Sequence, residues 1–203
     1  MFIKSKYKIA RRLGPEIFDK TQTQKFALRS EKKSSLTSKR PKARSDFGLQ
    51  LIEKQKARFT YGINERQFSK YVSEALAQKA VKADEALYVR LETRLDNVAY
   101  RFGLAPSRQA SRQMVSHGHL LVNGVRVTIP SFNVKTGDKI SIREASLKKP
   151  LFAGLEERLK EKISPSWLAF DIAKKSGAVQ GRPVLVKTDL TFDISAILEF
   201  YRR

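Results

Sequence analysis

Arg108 and Arg112 stand four residues apart in SRQASRQMVSHG (residues 107–118), so on a helix their guanidinium groups share one outer face. Ser107 is a good capping residue for that helix, and Gly118 can end it in a left-handed turn. The first turn of such a helix also presents N–H groups and the positive end of its dipole, both suited to phosphate. The other residue types that could do chemistry exclude more than they offer. Cysteine is absent, which rules out disulfides, thiolate metal sites and cysteine nucleophiles. His117 and His119 are the only histidines, and an i, i+2 pair entering a strand is expected to point to opposite faces, too few ligands for a metal. No phosphate loop of the form GxxxxGKS or GxxxxGKT occurs.

The elements that must position these side chains follow from hydrophobic periodicity. Leu91, Leu95, Val98, Ala99 and Phe102 make one apolar stripe, predicting a single helix through LETRLDNVAYRFG that Gly103 ends. Ala110, Met114 and Val115 form the inner stripe of the arginine-bearing helix. HLLVNGVRVTI then reads as two strands around Asn123-Gly124, a strong hairpin signal, and a turn at Thr136-Gly137-Asp138 leads into a third strand, KISIRE. Two short helices on a small sheet, with arginines projecting from the second, fit an RNA-binding module. Physics favours RNA over duplex DNA only weakly here. A short helix can enter a DNA major groove, whereas it meets RNA at the minor groove, the backbone and irregular joints.

Upstream, DFGLQLIEKQKARFTYG and NERQFSKYVSEALAQKA form a helix pair separated by Gly62, with Asn64 as an N-cap. Leu51, Ile52 and Gln55 share a stripe of the first helix, and Phe68, Val72, Ala75, Leu76 and Lys79 share one of the second. Lys54, Lys56 and Arg58 alternate around the end of the first helix, as on a solvated face. Trp167 reads as a packing anchor.

The formal charge is +21 on 203 residues, and residues 1–45 hold 14 Lys and Arg against 3 Asp and Glu. About half of the excess therefore sits in the first fifth of the chain, which contains the run SEKKSSLTSKRPKARS. This composition predicts a solvated basic arm that cannot fold alone and orders on a phosphate backbone. No apolar run approaches the roughly 18 residues of a membrane span, and the start MFIKSKYKIARR lacks the apolar stretch of a secretory signal. A soluble intracellular protein with a polyanionic partner is expected.

The residues quoted so far resemble a known family. SRQASRQMVSHGHLLVNGVRV, preceded by RLDNVAYRFG, looks like the RNA-binding module named after small-subunit ribosomal protein S4. Residues 45–71 (SDFGLQLIEKQKARFTYGINERQFSKY) are similar to the helical region that precedes the module in the ribosomal protein. KYKIARRLGPEIF resembles its N-terminal arm, PSWLAFD its strand after the module, and DLTFDISAILEFYRR its C-terminal helix. The chain is thus identified as a member of the bacterial S4 family, in a form without zinc-binding cysteines. Many members hold the arm with four cysteines around zinc; here packing or RNA must do so. Residues 177–187 and 30–45 match the family pattern poorly.

The resemblance implies an α+β fold: a basic arm (1–45), a helical region (46–90), the module (91–153), an extension with an added strand (154–188), and a C-terminal helix (189–203) that returns to the helical region. It implies a non-enzymatic constituent of the small ribosomal subunit in the cytoplasm, an organellar ribosome being less favoured, with no cofactor and no metal. The implied partner is the 5′ domain of small-subunit ribosomal RNA, bound at a multi-helix junction early in assembly. Further implied partners are neighbouring small-subunit proteins, one at an interface that affects accuracy, and messenger RNA where it enters the subunit. Repression of its own messenger is a further implied role.

By matched positions, the RNA-binding residues would be Arg94, Arg108, Arg112, Gln113, His117 and Asn123 in the module, Lys54, Lys56, Arg58, Arg66 and Lys70 in the helical region, and Lys8, Arg11 and Arg12 in the arm. Arg108 and Arg112 would grip phosphates, with a bidentate geometry that Lys lacks. Replacing both by Ala is expected to weaken binding at least tenfold without unfolding the domain. His117 and Asn123 could equally pin the helix–hairpin corner, and Arg94 could pair with Glu92 or another nearby acid. Two rival classes carry the same module. Arg94-Leu95-Asp96 is similar to the motif around the catalytic aspartate of pseudouridine synthases, but Leu95 belongs to the apolar stripe, which sets Asp96 mid-helix. A heat-shock-type binder of stalled ribosomes would lack residues 45–71.

Overall fold

The computed structural model describes residues 5–36, 45–78, 80–161, 164–186 and 190–203. In chain order its helices are α1 (Lys6–Leu13), α2 (Gln24–Leu36), α3 (Asp46–Tyr61), α4 (Glu65–Ala77) and α5 (Ala83–Glu92). They continue with α6 (Leu95–Arg101), α7 (Arg108–Ser116), α8 (Glu144–Leu147), α9 (Leu155–Glu161) and α10 (Ile194–Arg202). The strands are β1 (Leu120–Val122), β2 (Val125–Arg126), β3 (Lys139–Ile142), β4 (Leu168–Asp171) and β5 (Ser176–Val179). The α+β class read from the sequence holds. The chain divides into two compact units, Met1–Leu87 with Val186–Arg203, and Tyr88–Leu185.

In the first unit α10 packs on α3 and α4. Its helix starts are built from the expected residue types. Ser45 accepts a hydrogen bond from the Gly48 N–H (3.3 Å), Asn64 from that of Gln67 (2.8 Å) and Asp193 from that of Ser195 (2.8 Å). Gly62 ends α3 with φ +64°, a left-handed conformation that favours glycine. The buried stripe of α3 differs from the expected one: it is Gln50, Lys54, Ala57 and Tyr61, while Leu51 and Ile52 lie partly exposed beside it. Two polar residues can occupy this face because each has a partner there. Gln50 Nε2 donates to Glu199 Oε2 on α10 (3.0 Å), and Lys54 Nζ to Glu65 Oε1 on α4 (3.0 Å).

The arm also departs from expectation. Residues 5–21 form α1 and two short 3-10 turns, burying Ala10, Leu13, Ile17 and Thr21, with contacts to α3. Composition misled here because four residues spaced along a basic segment supply enough anchorage once α3 offers a surface. Most of the run at 30–45, and Lys79 of the expected α4 stripe, lie outside the described residues.

In the second unit the described strands form one antiparallel sheet, in the order β2-β1-β3-β5-β4. β1 and β2 meet at a two-residue turn in which Asn123 (φ +51°) and Gly124 (φ +81°) are both left-handed, as Asn-Gly predicts. The strand read in PSWLAFD is β4, but it does not pair with β3. The weakly matching residues just beyond it supply β5, which lies between the two. Leu95, Val98, Phe102, Met114, Val115, Leu120, Ile140, Trp167 and Val179 close the core between the sheet and α6–α7.

The helix expected from Leu91 through Phe102 is in fact two. The chain leaves α5 at Thr93 and re-enters helix at Leu95 because residues 93–96 hydrogen-bond to another segment. Val134 N–H donates to the Thr93 carbonyl (2.9 Å), Leu95 N–H to that of Phe132 (2.9 Å) and Asp96 N–H to that of Pro130 (3.1 Å). Such pairing is not visible to a periodicity count, since both helices keep the same apolar phase.

Gly177 sits on β5 opposite Ile140 of β3 and Phe170 of β4. A Cβ there would lie 2.5 Å from Cζ of Phe102 and 2.8 Å from Cδ2 of Phe170. Gly177→Ala should therefore destabilise this unit by about 1–3 kcal/mol through overpacking. Urea unfolding followed by fluorescence of Trp167, the only tryptophan, measures it; an unchanged midpoint would mean that the two rings can swing aside.

Candidate nucleic-acid interface

The outer face of α7 rests on a buried polar layer supplied by the end of α5 and the start of α6. Asp96 is only 4% exposed and lies in the first turn of α6, not mid-helix. Arg94, 2% exposed, donates to it from Nε (3.0 Å to Oδ1) and Nη2 (2.7 Å to Oδ2). Arg112 reaches the same Oδ2 from Nε (2.9 Å) and Nη2 (2.8 Å). Next to it, the fully buried Glu92 accepts from Arg101 Nε and Nη2, both at 2.9 Å, and from Asn97 Nδ2 at 2.9 Å. Asn97 Oδ1 in turn accepts from Arg108 Nε (2.9 Å), whose guanidinium lies 4.5 Å from the centre of the Tyr100 ring. The Ser111 hydroxyl donates to the Asp96 carbonyl and ties α7 to α6.

Two carboxylates thus hold arginines by charge-assisted contacts from two nitrogens each, the arrangement that makes burying an acid tolerable. For Arg108 and Arg112 the effect is to fix partly exposed guanidinium groups in place, side by side on α7. For Arg94 it is the opposite: the side chain is inside the protein and positions Asp96. Asp96 is one of its partners, and Glu92 holds Arg101. The double replacement of Arg108 and Arg112 should accordingly also lower the stability of this unit, because Arg112 is one of the charges on Asp96.

Gln113 and His117 are exposed on and just after α7. The histidines do not diverge as expected, since His117 caps the helix and its ring centre is 5.9 Å from that of His119. His119 is buried, with Nδ1 2.9 Å from the Ser146 hydroxyl. Burial, and then the charges of Lys149, His117, Arg126 and Arg143, hold its pKa below the ordinary imidazole value. Among the described residues no group of three or more His, Asp or Glu could hold a metal. Asn123 Nδ2 donates to Asp138 Oδ1 (2.8 Å), and its Oδ1 accepts from the Lys139 N–H (2.9 Å), so its side chain joins the hairpin to β3. Exposed Arg126 joins this corner although nothing in its local sequence marks it. It donates to the His117 carbonyl (3.2 Å), and its side chain lies where a Cβ on Gly118 would be.

The first unit sorts its cations in the same way. Lys54 is 7% exposed, held by Glu65 and by the Phe200 ring 4.4 Å away. Arg58 is mostly buried and pairs with Glu65 Oε2 (2.9 Å), and Lys56 pairs with Glu53 (2.7 Å). Arg66 is exposed, and Lys70, with its side chain 72% exposed, faces Glu74 at 3.8 Å. Lys8, Arg11 and Arg12 are exposed on α1.

Glu65 also accepts the Tyr201 hydroxyl hydrogen (2.6 Å). Burial, then the bond to Glu65 and its charge, push the Tyr201 pKa up, with Arg58 opposing. Burial alone would raise Glu65, but hydrogen bonds from Tyr201 and Lys54, with the charges of Lys54 and Arg58, hold it below the ordinary carboxylate value. A depressed folded pKa means that the stabilisation is complete above about pH 4.3 and is lost as the pH falls through the folded value. Glu65→Gln should therefore lower the melting temperature at neutral pH, and the gap from wild type should close below about pH 4. Thermal unfolding across that range checks it; a pH-independent gap would exclude the ionised carboxylate as its source.

Residues 2–92 match the family model described as the ribosomal protein S4/S9 N-terminal domain, and residues 93–140 match the S4 domain. The small ribosomal subunit protein uS4 of Dehalococcoides mccartyi (strain CBDB1) is 39% identical over 199 residues, which cover 97% of this chain and 96% of that protein. The protein of the same name from Acetivibrio thermocellus is 45% identical over 159 residues, covering 78% of this chain and 76% of its own. The one from Nocardia farcinica is 45% identical over 159 residues, covering 78% and 79%.

Proposed function

The chain belongs to the uS4 family of small ribosomal subunit proteins, and from that premise we propose that it is a structural constituent of the small subunit that binds its ribosomal RNA. It is not an enzyme: in the one motif similar to a catalytic one, Asp96 is committed to two arginines. The observation that carries the proposal is the face of α7, where Arg108 and Arg112 are held in place by buried Asn97 and Asp96. Guanidinium groups fixed before contact lose little freedom on gripping a phosphate.

The finer reading comes from the family resemblance. The protein docks on a multi-helix junction in the 5′ domain, nucleates its folding, and contributes to accuracy through a neighbouring small-subunit protein. It lies beside incoming messenger, represses its own messenger, and works on cytoplasmic ribosomes. A junction crowds phosphates from several helices, and cations relieve that repulsion. The contact set is Lys8, Arg11, Arg12, Lys56, Arg66, Lys70, Arg108, Arg112, Gln113 and His117. Lys54, Arg58, Arg94 and Asn123 serve the fold that presents them.

A filter-binding titration against the 5′ domain of small-subunit ribosomal RNA, with transfer RNA as competitor and at several salt concentrations, tests this. Tight binding that survives the competitor, with a steep salt slope, is the expected result. Equal affinity for both RNAs would reduce the interaction to charge and defeat the proposal.

A further inference from the structure

We propose that the cavity between α1 and α2 seats a single unpaired nucleotide of RNA, its base stacked on Tyr7 and its phosphate held by Arg11, Lys25 and Arg29. The inference rests on the RNA-binding reading above and assigns it a subsite of which only Arg11 was among the matched positions. The cavity measures about 370 Å³, within the range of small-molecule sites. Tyr7 and Arg11 lie one turn apart on α1, and Phe26 and Arg29 nearly one turn apart on α2, so the two helices bring two rings and two guanidinium groups to one hollow. Thr23, Lys25 and Ser30 complete its described wall.

Three features select the occupant. Among the described residues no carboxylate lines the hollow and Arg11, Lys25 and Arg29 form no ion pair, so the described site is positively charged. Tyr7 is 56% exposed although a ring of that size gains by burial. Arg11 Nε donates to the Tyr7 carbonyl (3.3 Å), which ties the arginine side chain to the turn that carries the ring. An anionic group joined to a flat aromatic one satisfies both demands, and a nucleotide is that combination. The Tyr7 and Phe26 ring centres are 6.0 Å apart, too close for a base to slip between them. The base therefore stacks on the open face of Tyr7, with Phe26 as backing. A paired nucleotide has its faces covered by neighbours, so the occupant comes from a loop, bulge or junction.

The test uses the full chain, 5′-domain ribosomal RNA and an unstructured single-stranded RNA. Tyr7→Leu keeps apolar bulk but removes stacking, and should weaken 5′-domain binding by about five- to a hundredfold while leaving the salt slope unchanged. Tyr7→Phe should bind as wild type. Lys25→Gln with Arg29→Gln should instead lower the slope by up to about 0.7, the share of one phosphate. Circular dichroism verifies that each variant keeps its helices. Ultraviolet cross-linking should attach one nucleotide to the peptide bearing Tyr7 with either RNA. Wild-type affinity in Tyr7→Leu, equal losses for Leu and Phe, or cross-links confined to other peptides would each overturn the assignment. If wild type fails to prefer 5′-domain RNA over transfer RNA, the ribosomal reading fails, and the cross-link still decides whether Tyr7 seats a nucleotide.

Discussion

Asp96→Ala is expected to destabilise the sheet-bearing unit by about 3–5 kcal/mol, because it takes the carboxylate away from Arg94 in the interior. Arg94 has no route to water at 2% exposure, and Asp96 accepts from both its Nε and its Nη2. The loss would come from a buried guanidinium deprived of this carboxylate and not from the pair being intrinsically strong. That distinction can be tested: replacing both residues by apolar ones of similar size, Arg94→Met with Asp96→Leu, should cost far less than Asp96→Ala alone. Urea unfolding read through Trp167, buried in the same core, reports on this unit. A loss below about 1 kcal/mol for Asp96→Ala would show that the guanidinium finds other acceptors. The same substitution releases Arg112 from its anchor, so RNA affinity should fall even where the protein remains folded.

That Asp96 matters for folding was hard to read from the sequence. The apolar stripe Leu91, Leu95, Val98, Ala99, Phe102 was legible and every member is buried. Glu92, Asp96 and Asn97 sit between those positions, where an amphipathic helix would show solvent, yet all three are buried. The available signal was the pairing of two acids with Arg94, Arg101, Arg108 and Arg112 at helical spacings, but which arginine meets which acid depends on how α6 packs against α7. The break at Thr93 was illegible for a related reason. It is imposed by backbone groups nearly forty residues downstream.

Local signals fared better than long-range ones elsewhere as well. Ser107, Asn64 and the Asn123-Gly124 turn each do what their residue types predict, because caps and tight turns are decided within four residues. Strand order was not so decided. β5 contains Gly177, a poor strand former, and its place beside β3 depends on the Phe102 and Phe170 rings that need a residue with no side chain there. Among the cations, charge alone did not separate Lys54 from Lys70. One lies under Phe200 and Tyr201 of a helix more than a hundred residues away, and the other faces water.

That separation gives a second large expected effect. Changing Lys8, Arg12, Arg66 and Lys70 together to Gln should flatten the dependence of log K on log salt by about 2.8 to 3.6, at about 0.7–0.9 for each phosphate no longer neutralised. Extrapolated to about 0.1 M salt, the affinity for 5′-domain RNA should fall by about a thousandfold. All four side chains are exposed, so the folded state should be little changed. Lys54→Gln is the informative contrast. Its ammonium binds Glu65 at 3.0 Å and lies over the Phe200 ring, so removing it should lower the melting temperature and leave the salt slope of the folded protein intact. A fourfold variant with the wild-type slope would place the phosphate-binding cations elsewhere. A slope reduced equally by Lys54→Gln would mean that the family's matched position, and not exposure in this fold, identifies the residues that touch RNA.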